Sequence, residues 1–438
     1  MKDCFKTSNS NQNKKAEKYM FGLFQCDYSN IERMSEVVSG ANYNQIQHFI
    51  SESPWDANKL MELVASKVSK LFSKQAIVYL IIDESSHLKK GDKSVGVSRQ
   101  YSGRAGKTDN CQVAVYGALS ADTQYCLIDA KLYLPKDWAE DKERCVTAGI
   151  PDSKCKFKTK LELALDMVKE QISRNIRFDW FLGDGFYGHG THFRAEVDAL
   201  GIQYMLDIHS TDRFYLESPN LAVPERNGVQ GRTPTLLRAD KHPIKACDYM
   251  KGLGESDWKH YTLRDTAKGA LKADIHVKEI FTWDENTDKI LKELLVIRRI
   301  KKEGKREEED LYEYKYSLSN VEYDKYSWLQ LGQVQAQRYF VERGFQDAKK
   351  EMGMSEYQVR GWLAWHHHIA LVMLGLLFVL KEKMEFKEGW PLLTAADVRQ
   401  IIVETYARNR NIYDIVQRRH KRRNADIKRH KKKSDKLT

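Results

Sequence analysis

A chain of 438 residues with 42% hydrophobic side chains is too long for one small domain and can bury at least one sizeable core. Its 72 Lys+Arg against 61 Asp+Glu leave a formal charge of +11, and thirteen Lys/Arg against only three Asp/Glu fall between Arg408 and Thr438, so the body is nearly neutral and the end is a polycation. Seven cysteines without a Cys-x-x-Cys pair or zinc-ligand spacing argue against a disulfide scaffold or zinc module, and the start Met1-Lys2-Asp3 lacks a signal peptide's apolar core.

Lys15 to Phe72 repeats apolar residues at three- and four-residue spacing, as in Tyr19, Leu23, Ile46, Phe49, Ile50, Leu60, Val64 and Val68, which predicts an all-helical N-terminal region over 1–73. The continuous run Ala76 to Ile82 reads as a buried central strand that ends at Asp83-Glu84. Val113 to Leu119 and Tyr125 to Leu134 complete an antiparallel meander, with turn-forming residues between them. Lys160 to Ile176 is helical, and Phe178 to Leu182 is a short strand stopping at Gly183-Asp184-Gly185. A helix near Phe193 to Leu200 and a strand at Gln203 to Ile208 close a β-β-β-α-β-α-β order, so 74–211 is one α/β unit.

From 212 to 325 short alternating segments with Trp258, Phe281, Trp283 and Tyr312 predict a β-rich insertion. Helical spacing returns over Trp328 to Met352 and Gly361 to Met384, giving a C-terminal part of the core at 326–404. Ile369 to Leu380 is too short to cross a bilayer and reads as a buried helix. The basic tail, 405–438, is expected to stay disordered and to seek nucleic acid rather than a membrane.

Asp83 and Asp184 each follow a core strand, where side chains converge on a shared crevice. Alone, each is more readily a turn former. Glu342 lies on a helix within Arg338-x-x-x-Glu342-x-x-x-x-x-x-Lys349, a spacing that puts the three on one stripe and that also fits a solvated ion-pair ladder. Phosphoryl transfer gives a reason for three carboxylates: two divalent ions can activate the attacking oxygen and stabilise the leaving one, and such hard cations prefer carboxylate oxygens. Consecutive His366, His367 and His368 point about 100° apart on a helix and cannot chelate one ion together.

The runs Ile82-Asp83-Glu84-Ser85-Ser86-His87, Ser94-Val95-Gly96-Val97-Ser98-Arg99-Gln100-Tyr101, Gly183-Asp184-Gly185-Phe186-Tyr187-Gly188, Val341-Glu342-Arg343-Gly344-Phe345 and Tyr357-Gln358-Val359-Arg360-Gly361-Trp362 resemble, in order, those of bacterial insertion-sequence transposases of the DDE superfamily. The resemblance covers roughly residues 15 to 385. It implies a ribonuclease-H-like mixed sheet flanked by helices, with the helical N-terminal region binding DNA and a β-rich insertion between Asp184 and Glu342. Implied with it are catalytic, metal-holding roles for Asp83, Asp184 and Glu342, with two Mg2+ ions that Mn2+ could replace. The expected activity is cut-and-paste transposition by a cytoplasmic protein, dimeric on paired ends, acting on the double-stranded DNA of terminal inverted repeats and target. A DNA-binding protein that has lost cleavage and a nuclease without strand transfer remain the alternatives.

The more distant Tyr-Arg-Glu-Lys signature maps onto Arg338, Glu342 and Lys349, with Gln335 where its tyrosine would stand. Lys89, Lys90 and Arg99 join Arg338 and Lys349 as candidate DNA contacts. Trp258 and Trp283 are candidates for stacking on a flipped base, although each reads first as a core aromatic.

Overall fold

The computed structural model describes all residues except 1, 8–9, 104, 226–233, 267–268, 285–287, 303–310, 391–392, 408–411 and 435–438. Four helices open the chain: α1 (Asn13–Gln25), α2 (Ile31–Val37), α3 (Tyr43–Ser51) and α4 (Ala57–Leu71). Asn30, Asn42 and Asp56 each cap the helix they precede by accepting from first-turn backbone N–H groups. Their apolar stripes join the main core, so Leu23, Phe49, Leu60 and Val64 lie in one cluster with the central strands.

The catalytic-type sheet follows as β1 (Tyr79–Leu88), β2 (Ser98–Ser102), β3 (Lys107–Ala121) and β4 (Gln124–Leu132), then α5 (Lys160–Ser173), β5 (Trp180–Gly183), α6 (Gly185–Gly188), α7 (Thr191–Asp198) and β6 (Tyr204–Ile208). β1 pairs antiparallel with β3 and parallel with β5, and β5 pairs parallel with β6. The order β4-β3-β1-β5-β6 is the ribonuclease-H-like arrangement, with β2 added beside the first residues of β3.

The insertion supplies β7 (Lys259–Thr266), β8 (Gly269–Thr282), β9 (Leu291–Lys301) and β10 (Tyr312–Ser319). These strands continue the same sheet, since β10 pairs antiparallel with β6, Ser317 facing Asp207. A second, smaller core of Phe214, Ile280, Leu295, Ile297 and Tyr316 covers their other face. The helices α8 (Trp328–Gln337), α9 (Tyr339–Glu351), α10 (Trp362–Glu385) and α11 (Ala395–Ala407) complete the body. α10 is the one helix among the described residues long and apolar enough to span a membrane, and it is largely buried inside the fold. Its three consecutive histidines point to different partners: His366 to the Trp362 carbonyl, His367 to those of Ile50 and Trp55, and His368 to the Tyr19 hydroxyl.

Three local expectations change. The first core strand does not stop at Asp83 but runs on to Leu88, because β3 continues to pair with it there. The single predicted helix over Trp328 to Met352 is divided at Arg338. The basic tail is a helix, α12 (Ile412–Ser434), rather than a disordered segment. It is anchored on α2 by buried Ile415, by Arg418 donating to the Val38 carbonyl and by Arg419 paired with Glu36; residues 408–411 and 435–438 of the tail lie outside the described residues.

Candidate active site

β5 ends one residue short of Asp184, and its last pair is Ile82 with Gly183, so Asp83 and Asp184 occupy the next level of the same parallel register. The crevice at Asp83 is therefore opened by the end of its neighbour, not by the end of its own strand. Asp184 turns the chain into α6 by accepting from the Phe186 N–H at 3.0 Å. α6 is pressed against β6 so closely that a Cβ on Gly188 would lie 1.9 Å from the Asp207 carbonyl oxygen, which only glycine permits.

The two carboxylates share the floor of an open cavity of about 810 Å³ with Glu84, Tyr101, Phe345 and Lys349. Burial, reinforced by the charge of Asp184, pushes the Asp83 carboxyl up to about 8 despite Arg338. Burial and the nearby Glu84 likewise raise Asp184. Glu84, adjacent to Asp83 in sequence, is held by the Tyr187 hydroxyl at 3.0 Å and by the Lys160 ammonium at 2.9 Å.

Arg338, at the junction of α8 and α9, binds acids on three elements. Its guanidinium reaches Asp83 at 3.6 Å, Asp207 at 3.0 Å and Glu342 at 2.6 Å, and its side chain is only 13% exposed. Asp207 also accepts from the Ser317 hydroxyl at 2.6 Å, which in turn accepts from Gln335 at 2.8 Å. Gln335, at the signature's tyrosine position, is thus a clamp between α8 and β10. Arg338 and Lys160 are two cations against Asp83, Glu84, Asp184, Asp207 and Glu342, so the centre is short of positive charge. Its donors are carboxylate oxygens, the chemistry that suits a hard divalent ion. As the side chains stand, no three His, Cys, Asp or Glu among the described residues are grouped as a ready ligand set, and Glu342, like Asp83 and Asp207, is engaged by Arg338.

Lys349 lines the cavity, whereas Lys90 and Arg99 are exposed but do not line it. Lys89 turns inward, its ammonium 3.4 Å above the Tyr357 ring, and burial lowers its pKa to about 8. Trp258 packs on the insertion's own core beneath the Arg299 guanidinium, 4.4 Å away, and Trp283 is half-buried just beyond β8. Other residues of the sequence runs serve packing below the centre: Tyr357 donates to Gln112, and His87 lies between Tyr116 and Ser355. Sequence reasoning passed over Asp207 and Glu84. The available signal for Asp207 was a lone acid within the apolar strand run Tyr204 to Ile208.

Fold and acid cluster together define a ribonuclease-H-like protein with a carboxylate centre at the head of its middle strands. The chain belongs to the DDE superfamily endonuclease family, whose model matches residues 1–270, a stretch that holds Asp83 and Asp184 and stops before Glu342. It is also similar to the probable transposase for insertion sequence element IS701 of Microchaete diplosiphon, with 32% identity over 183 residues. That match covers 41% of this chain and 44% of the relative, less than half the length of either.

Proposed function

We propose that this protein is an insertion-sequence transposase that cuts DNA at the element's terminal inverted repeats and joins the freed 3′-hydroxyl to target DNA, at a centre built from Asp83, Asp184 and Glu342. The observation that carries the reading is the convergence of Asp83 and Asp184 in one cavity, where burial first and the neighbouring Asp184 charge second hold Asp83 at about 8. The name of the IS701 relative supports the same reading.

When bound, a pair of divalent ions would activate the attacking oxygen and stabilise the leaving one. Asp83 and Asp184 would supply ligands from two neighbouring strands. Glu342 would complete the set by turning off Arg338. Arg338 meanwhile keeps the acids from repelling one another, and Asp207, held by Ser317, keeps Arg338 in place. Lys349 at the cavity and the exposed Lys90 and Arg99 outside it would take DNA phosphates, with the basic face of α12 adding affinity that does not depend on sequence. The protein would work in the cytoplasm, as a dimer on paired ends.

The test is incubation of the full chain with duplex carrying candidate inverted repeats, with Mg2+ or with a chelator. Nicking at the repeat boundary followed by joining to a second duplex, both lost with chelator, is the expected result. Cleavage that persists without divalent ions would overturn the carboxylate-centre reading, and cleavage without joining would make the protein a nuclease.

A further inference from the structure

One face of the insertion strands carries arginines that the proposed reaction does not use. The register runs Arg264 with Leu271, Ile275 with Arg298 and Arg298 with Lys315, so Arg264, Arg298 and Lys315 share a face. Ser317 and Asp207 continue that face to Arg338. Arg299, next along the strand, lies on the opposite face and is fully engaged by Glu255 and Asp274.

Arg298 differs. It is 6% exposed, its Nε is sealed from water without a hydrogen-bond partner, and no carboxylate among the described residues pairs with it. Arg264 has the same sealed, unpartnered Nε, and its guanidinium lies over the Tyr339 and Phe340 rings at 4.8 and 4.7 Å. Burial, set against weaker attraction from Asp207 and Glu313 and added to repulsion from Arg264 and Arg338, lowers the Arg298 pKa. Asp207 is already taken by Arg338 and Ser317. A buried cation such as Arg298 without a counter-charge is costly, and the half-buried Arg264 beside it adds repulsion. A bound anion would remove that cost, and a guanidinium fork matches a phosphate.

We propose that Arg264 and Arg298, flanked by Lys315, form a phosphate site on the insertion strands that takes a backbone phosphate of the DNA strand running past Arg338. This rests on the DNA reading above for the source of the phosphate, but the site itself does not.

The test uses the full chain with Arg264→Met and Arg298→Met, singly and together. The double variant is expected to lower the slope of log affinity against log salt by about 1 on duplex of any sequence, roughly one unit for the one DNA phosphate that the site no longer neutralises. Its melting temperature without ligand should hold or rise, because an uncompensated charge is gone. Inorganic phosphate should raise the melting temperature of the wild type and not that of the double variant, an arm that needs no DNA. Should the wild type fail to bind or cut DNA yet keep this phosphate response, the transposase reading falls and the site stands, for a free phosphate ligand. An equal phosphate response in both proteins, or a folded variant with an unchanged salt slope on DNA that the wild type binds, would overturn the site. A variant that melts lower would mark the arginines as structural and overturn it as well.

Discussion

Two buried arginine–carboxylate clusters sit on adjoining parts of one sheet and are built to opposite balances. Around Glu293 a single carboxylate meets a single guanidinium, Arg194, at 2.9 Å, and the Tyr204 and Thr282 hydroxyls fill its remaining lone pairs, with both charged side chains almost wholly sealed. Around Arg338 one guanidinium serves Asp83, Asp207 and Glu342, while Asp184 adds charge that it does not touch and Glu84 is held by Lys160. The first cluster is closed and ties α7 to β9. The second is short of positive charge and opens into a cavity. Saturation goes with a structural tie between α7 and β9, and its absence with an open, acid-rich cavity.

The largest effect expected from that contrast is at the open cluster. Asp83→Asn and Asp184→Asn should each lower Mg2+-dependent cleavage by roughly three orders of magnitude or more, with melting temperature held or raised because a carboxyl whose ionisation burial opposes is replaced by a neutral amide. Glu342→Gln should lose cleavage to the same degree. Residual cleavage near the wild-type rate in any one would remove that residue from the centre. At the closed cluster the order reverses: Glu293→Gln leaves Arg194 buried without its partner and should cost about 3–5 kcal/mol in urea unfolding. A cost under about 1 kcal/mol would mean the pair is solvated and the contrast fails.

A third buried group gives a pH test. Burial holds His368 at about 3, so it stays neutral in the fold where an unfolded histidine, near 6.5, takes up a proton. The stability this ring contributes is therefore full above about pH 6.5 and falls as pH drops towards 3, by about 2 kcal/mol at pH 5. Urea midpoints at pH 7 and 5 should differ in the wild type and differ less in His368→Gln. The smallest effect separates Lys349 from Arg338. Lys349→Ala should lower the salt slope of DNA binding by about 1. Arg338→Gln should leave the slope nearly unchanged and tighten Mn2+ binding by the folded chain, since it faces acids rather than the cavity mouth.

What the sequence made legible follows from how each signal arises. β1, β5 and β6 are buried on both faces, so their apolar runs stood out. β2 is short and alternates exposed with half-buried residues at the sheet's edge, and it was not seen. The helical N-terminus and α10 were plain from their spacing. Asp83 and Asp184 were visible because they follow apolar runs, whereas Asp207 gains its meaning from Arg338, 131 positions later, and no local pattern carries that. The insertion's strands were readable as strands, but not as members of the central sheet, because the pairing of Ser317 with Asp207 is a long-range choice. Gln335 looked like a departure from a signature and is instead a clamp on Ser317.

The pairing of β10 with β6 also bears on how the chain tolerates being cut. An inserted segment is usually pictured as a removable lobe, yet here its last strand is what closes the outer edge of β6. A chain stopped at residue 270, where the family match ends, would present the unpaired N–H and C=O groups of Tyr204 to Ile208 to solvent. That stretch is apolar and strand-prone, a template for the same edge of another copy. Trimming the insertion back to a linker is thus expected to trade a folded chain for edge-to-edge aggregation, and a shortened version would need a charged or proline-bearing substitute strand in place of β10.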